Sequence, residues 1–233
     1  MSETQSMPRR AFAAERACLM LAEAGIRRFP LDCARLLRMF EGEICAVSFS
    51  EIPRITPDDN AMLETVVRDA WEIKRGGKCT IFFPDMTVSS GRYRFTVCHE
   101  LGHCFLGHFD APDLAKLNDS QRKQMDGEAD IFASNMLCPA PVAMRLREDA
   151  DGETLFGMSR EAWAMRVKTA AQDFACISTD IAAETLERFA PYMYGRLCRA
   201  CGANFTDTDR KNICPVCGGT HLDWKPQGKD DPE

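Results

Sequence analysis

Five consecutive residues, His99-Glu100-Leu101-Gly102-His103, constrain this 233-residue chain more than any other stretch. On a helix, positions i and i+4 stack one turn apart on the same face, so His99 and His103 aim ring nitrogens at a common point. The neighbouring Leu101, Cys104, Phe105 and Leu106 make that helix a buried one. Two imidazoles and a carboxylate are costly to bury unless something satisfies them, and a zinc ion would. A reactive zinc site takes three protein ligands and keeps a fourth position for water, whose pKa the metal lowers to roughly 7. Glu100 is offset from the two histidines, placed to take a proton from that water as general base without binding the metal. The fold must therefore deliver one more ligand to this helix face.

Two sources compete. His108 suggests the longer pattern H-E-x-x-H-x-x-G-x-x-H. Here, however, the glycine (Gly107) comes one residue late and the histidine one residue early, so His108 reads better as a helix C-cap or an outer-shell partner. The second source is Gly127–Pro139, an apolar segment that stops before proline and carries Glu128 on the same side as Ile131, Phe132 and Asn135. A carboxylate facing a packed core needs a partner, and a metal supplies one. Glu128 is the expected third ligand, ahead of Asp126 and Asp130, which sit less well on that face.

Together these segments resemble a known family. Phe95-Thr96 before the H-E-x-x-H pattern, Leu106-Gly107-His108 after it, then Glu128-Ala129, Phe132-Ala133 and Leu137 before Pro139, look like the ImmA/IrrE metallopeptidases over roughly residues 30–190. The resemblance implies a gluzincin-like zinc endopeptidase, with His99, His103 and Glu128 as ligands and Glu100 as general base. It also implies a protein substrate of the transcriptional-repressor type, controlling a mobile element or a stress response.

The rest of the chain sets this helix in an α+β fold. An amphipathic helix is predicted over Ala11–Gly25, with Cys18, Leu19 and Ala22 inward, and a second over Leu31–Phe40. A strand follows at Ile44–Phe49, then a helix at Asp59–Lys74 and a strand at Cys79–Phe83 that leads, through a polar loop (85–91), into the histidine helix. Asp110–Asp126 reads as a polar loop with room for a short helix. Net charge is −6, which argues against a dominant electrostatic grip on nucleic acid. No run approaches 18 apolar residues, so no membrane span is expected. Of twelve cysteines, eight are scattered as buried free thiols would be, and the expected compartment is the cytoplasm.

Beyond Pro139-Ala140-Pro141 a helical tail is expected: Val142–Arg147, a turn at Asp149–Gly152, a helix capped by Ser159, and a last helix at Ser178–Phe189 that Pro191 ends. The turn between short helices invites a helix-turn-helix reading, but only Arg160, Arg166 and Lys168 would face a phosphate backbone. Tyr93, Arg94, Tyr192 and Tyr194 are candidate oxyanion donors, though arginines there more often pair with carboxylates. Cys198-Arg199-Ala200-Cys201-Gly202 and Cys214-Pro215-Val216-Cys217-Gly218 form paired knuckles 12 residues apart. Cys198, Cys201, Cys214 and Cys217 predict a closed, structural zinc site, a ribbon suited to recruiting protein or nucleic acid. The expected architecture is therefore a small mixed sheet packed with helices bearing the metal site (1–146), a helical tail (147–192), a four-cysteine zinc ribbon (193–225) and a polar tail (226–233). Two zinc ions are implied, one catalytic and one structural. The competing expectation is a regulatory, antitoxin-like interaction protein that keeps the metal site without turning substrate over.

Overall fold

A small sheet and a set of packed helices carry the H-E-x-x-H stretch. A computed structural model describes residues 8–48, 71–75, 78–83, 90–110, 117–146, 152–209 and 211–224. Among these residues the first sheet has three strands, β1 (Ile44–Ser48), β2 (Trp71–Arg75) and β3 (Lys78–Phe83), in the order β1-β3-β2. β1 runs parallel to β3 and β2 antiparallel to it, so the sheet is mixed, as expected, and β3 is its central strand.

The helices are α1 (Arg10–Glu23), α2 (Cys33–Met39), α3 (Gly91–Phe105), α4 (Asp119–Leu137), α5 (Ala140–Leu146), α6 (Gly152–Phe156), α7 (Arg160–Phe174) and α8 (Thr179–Tyr194). α3 carries the H-E-x-x-H stretch and packs along α4, and α1 lies against α4 on another side. Small residues permit the close approach: Ala13, Ala14 and Ala17 of α1 are fully buried. One apolar cluster runs from α1 through α3 and α4 into the helical tail, where Phe29 meets Phe156 and Phe189 with ring centroids 5.1 and 4.9 Å apart.

A buried polar node ties three helices, α1, α4 and α7, together. Arg166 of α7 donates to the Cys138 carbonyl at 2.8 Å, to Asp173 at 2.6 Å and to Asn135 of α4 at 2.7 Å. Asn135 in turn donates to Asp173, and Arg10 of α1 pairs with the same carboxylate. Arg166 is therefore a core residue, not a surface cation for a phosphate backbone.

Several expectations are corrected. Trp71–Arg75 is a strand pairing with β3, not the end of a helix running to Lys74; positions 59–70 of that predicted helix lie outside the described residues, as do 84–89, 147–151 and the tail beyond 224. Leu19 is outward, because the buried stripe of α1 runs through Ala13, Ala17, Met20 and Leu21. Pro191 does not end the last helix: α8 continues to Tyr194, with Phe189, Tyr192 and Met193 buried around the proline. This packing outweighs the backbone hydrogen bond that proline forfeits. Finally, the scattered cysteines are not all thiols, since Cys79 and Cys104 form a disulfide.

The last helix leads without a linker into a second three-stranded sheet, β4 (Gly195–Cys198), β5 (Asn204–Thr206) and β6 (Leu222–Trp224), in the order β5-β4-β6. It is fastened back on α8: the Asp207 amide donates to the Tyr194 carbonyl at 2.9 Å, and the Trp224 indole N–H to the Tyr192 carbonyl at 3.1 Å. Among the described residues no helix is long and apolar enough to cross a membrane.

Candidate metal centre

Helix α3 starts where Ser90 caps it, its hydroxyl accepting from the Tyr93 amide at 3.0 Å. Val97, Cys98 and Leu101 bury one side of the helix, and the histidines fall on its half-buried face toward α4. Gly102 makes the approach possible: a Cβ there would stand 3.1 Å from Ala129 Cα and 3.2 Å from the Phe132 ring. The small residue in H-E-x-x-H is thus a packing requirement set by α4.

His99 and His103 face each other through their Nε2 atoms, 3.1 Å apart. Their other nitrogens are held from behind. His99 Nδ1 meets Asp130 Oδ1 at 2.8 Å, and His103 Nδ1 meets His108 Nδ1 at 3.0 Å. His108 Nε2 continues to Glu128 Oε2 at 3.2 Å. If His108 donates its Nε2 proton to the Glu128 carboxylate, its Nδ1 must accept from His103 Nδ1–H, and His103 Nε2 is a bare lone pair. His99, donating to Asp130, presents a second bare Nε2. Two lone pairs at 3.1 Å repel unless a cation lies between them. Two nitrogen ligands on tetrahedral zinc, with bonds of about 2.0–2.1 Å, stand about 3.3 Å apart, close to this separation.

Electrostatics separate the two rings. Burial, with the neighbouring His99 and His103–His108 contacts, holds His103 down to about 3 and therefore neutral. Burial also works against a proton on His99, but the hydrogen bond to Asp130 and the charges of Glu100, Asp130 and Asp126 overcome it and raise its affinity for one. The site draws positive charge to the gap between the rings, and a metal ion would displace that proton. Glu100 is buried, on the same helix and near enough for its charge to act on His99.

The carboxylates of α4 divide in a way the sequence did not indicate. His99, His103 and Asp126 bring ligand atoms within 4.8 Å of one another, with Asp126 Oδ1 3.7 Å from His103 Nε2. Glu128 is 1% exposed and engaged elsewhere: Arg9 donates to it through its backbone amide at 3.0 Å and its guanidinium at 2.7 Å, and Gln124 donates at 2.9 Å. Burial raises the Glu128 pKa, but these donors outweigh it and hold the carboxyl down to about 2. The structure thus seats Glu128 behind His108 and sets Asp126 beside the histidine pair. Asp126 sits on α4 because the helix begins two turns earlier than expected, at Asp119. Its signal was present in the sequence as a capping box: Asn118 accepts from the Gln121 amide at 2.9 Å while the Gln121 side chain accepts from the Asn118 amide at 3.0 Å.

The candidate oxyanion donors have other engagements. Arg94 is buried and donates to the Gly157 carbonyl, Tyr192 donates to the Leu155 carbonyl, and Tyr194 accepts from Arg145 at 2.9 Å.

At the far end of the chain, Cys198, Cys201, Cys214 and Cys217 bring their sulfurs within 4.8 Å of one another. The Cys198–Cys217 and Cys201–Cys214 pairs are each 3.6 Å apart, against about 3.8 Å for two thiolates on tetrahedral zinc. Gly202 and Gly218, which follow each knuckle, have φ of +74° and +71°, the left-handed turn that swings backbone amides toward sulfur. Burial opposes ionisation of Cys214, but the amides of Cys217 and Val216 bring its thiol down to about 7. His221 is exposed and outside this group.

Residues 81–168 match the peptidase family described as IrrE N-terminal-like domain. The match runs from the second half of β3 through both helices of the candidate centre into α7, and it supports a metallopeptidase-type function. No curated protein matches the chain.

Proposed function

We propose that the chain is a zinc-dependent endopeptidase acting on a regulatory protein of the repressor type. The observation that carries this reading is the pair of Nε2 atoms facing each other at 3.1 Å, with Glu100 one residue along the same helix and a carboxylate of α4 beside them. Zinc, when bound, supplies Lewis-acid polarisation of a peptide carbonyl and acidification of a water. The chain's own residues do the rest. His99 and His103 would hold the metal, and Asp130 and His108 would fix the orientation of their rings. Glu100 takes the proton from the attacking water and passes it to the departing amine.

The third ligand comes from α4. Glu128 is the one the family resemblance implies, and to serve it must leave Arg9 and Gln124; Asp126 already stands with the pair. The ribbon holds a second, structural zinc through its four cysteines and offers a docking surface for the substrate. Zinc content per chain tests this arrangement. The expected result is two zincs in the native chain and in Glu100→Gln, one in His99→Ala, one in Glu128→Ala and one in Cys198→Ser. Loss in Asp126→Ala with Glu128→Ala unchanged would move the third ligand to Asp126. A zinc-loaded native chain that cleaves neither unfolded casein nor a protein trapped by Glu100→Gln would turn the reading to a non-catalytic interaction protein.

A further inference from the structure

The Cys79–Cys104 disulfide joins the central strand of the sheet to the residue that follows His103. The two positions are 25 residues apart in the chain, so the link closes a loop containing the whole of β3 after Cys79 and nearly all of α3. It bears on the last turn of α3, the turn that sets the His103 ring. That ring is itself held by His108. The same helix also carries Cys98, whose sulfur lies against Cys33 in the core, yet that pair stays as thiols. Proximity of sulfurs alone therefore does not explain the link. Cys104 differs in being only half-buried, open to a small oxidant, whereas Cys98 is fully enclosed.

We propose that Cys79 and Cys104 form a reversible thiol–disulfide site that governs how firmly the His99/His103 pair keeps its metal; this rests on the metal reading of that pair. A low-molecular-weight disulfide of the glutathione type supplies the oxidising equivalents. The Cys104 thiolate attacks one of its sulfurs, forming a mixed disulfide and releasing one glutathione thiolate. The Cys79 sulfur then attacks Cys104 Sγ, the Cys79–Cys104 bond forms, and the second glutathione leaves as thiolate. Two cysteine sulfurs are oxidised, one glutathione disulfide is reduced to two thiols, and the two cysteine protons pass to solvent or to the departing thiolates. Reduced glutathione in excess runs the sequence backwards. In the linked form the last turn of α3 is clamped to β3, and His103 is held in place for the metal. In the reduced form that clamp is gone.

The test uses the full zinc-loaded chain, equilibrated with oxidised or reduced glutathione and then mixed with a zinc-binding indicator dye. The ribbon's share of the zinc is assigned from Cys198→Ser, and free thiols are mapped by alkylation and mass spectrometry, with exposed Cys45 and Cys176 as internal reporters. The expected result is a linked 79–104 peptide in the oxidised sample and release of the non-ribbon zinc faster by roughly tenfold in the reduced one, the size typical of a lost outer-shell support. Cys79→Ser should release at the reduced rate in both buffers, and Cys98→Ser should keep the native dependence. Cys79 belongs to the strand rather than to the helix that holds the histidines, so its variant remains informative if Cys104→Ser fails to fold. No linked peptide, or equal release rates with two zincs bound, overturns this inference alone. A chain that carries only the ribbon zinc in both states overturns the metal reading and this inference with it.

Discussion

Replacing Arg166 by methionine separates two uses for helix α7. In the structure its guanidinium makes three charge-assisted hydrogen bonds, to Cys138 O, Asp173 and Asn135, with 3% of the side chain exposed. Methionine fills a similar volume and restores none of them. Asp173, itself 2% exposed, would keep Arg10 and Asn135 but lose its shortest fully buried partner. Removing one member of a buried ion pair costs about 3–5 kcal/mol, and the surviving Arg10 contact puts the expected loss at the lower end, about 3 kcal/mol. For a chain of this size each kcal/mol moves the melting temperature by about 2–4 °C, so a fall of about 6–12 °C is expected. Thermal and urea unfolding followed by circular dichroism, in saturating zinc, read it directly. Arg166→Lys should recover only part, since one ammonium cannot span three acceptors. A loss below about 1 kcal/mol, the scale of an ordinary surface position, would refute the buried-node reasoning. If stability held while retention on heparin fell, α7 would be a nucleic-acid surface after all.

Three further outcomes are expected. Gly102→Ala forces Ala129 Cα and the Phe132 ring to give way, so it should cost about 1–3 kcal/mol and weaken zinc retention at the histidine pair while sparing the ribbon; unchanged urea midpoint and zinc content would refute the close-packing role. In the metal-free chain, Glu128 is held from an ordinary value of 4.5 down to about 2, so its pairing stabilises the fold above pH 4.5 and is lost as pH falls toward 2. Arg9→Gln should therefore be less stable than native at pH 5 and indistinguishable near pH 2, and a gap that persists in acid would show that Arg9 acts by packing. Gly152→Ala would place a methyl inside the Trp163 indole, 2.2 Å from its nearest atom; the expected result is quenching or shift of Trp163 fluorescence with lowered melting temperature, against no change if the contact is absent.

The local rules were readable where a single physical cause decides. Ser159 caps its helix, Cys138-Pro139 stops α4, and β1 and β3 appear where β-branched and aromatic residues cluster. The histidine pair followed from helical spacing alone. Reading failed where tertiary contacts outvote local pattern. Trp71–Arg75 has helical periodicity behind it but pairs with β3, and Pro191 lies inside a helix held by Tyr192 and Met193. The division between Asp126 and Glu128 was invisible because both lie on one helix, two residues apart, and Arg9 decides between them from 119 positions away in sequence. The Cys79–Cys104 link was hidden for the same reason: nothing in the spacing of scattered cysteines reports that a strand and a helix end meet.

The direct passage from α8 into the four-cysteine sheet has a consequence for how a target is met. Two binding modules joined by a flexible chain explore many separations, and their cooperation weakens as the tether lengthens. Here Tyr194 ends the helix, Gly195 begins the strand, and Trp224 and Asp207 clasp the sheet to the helix end. A substrate held on the docking surface proposed for the cysteine module would be presented at one distance and one angle. On that proposal the module would act as a ruler, and inserting a few glycines between Tyr194 and Gly195 would leave grip intact while erasing measurement.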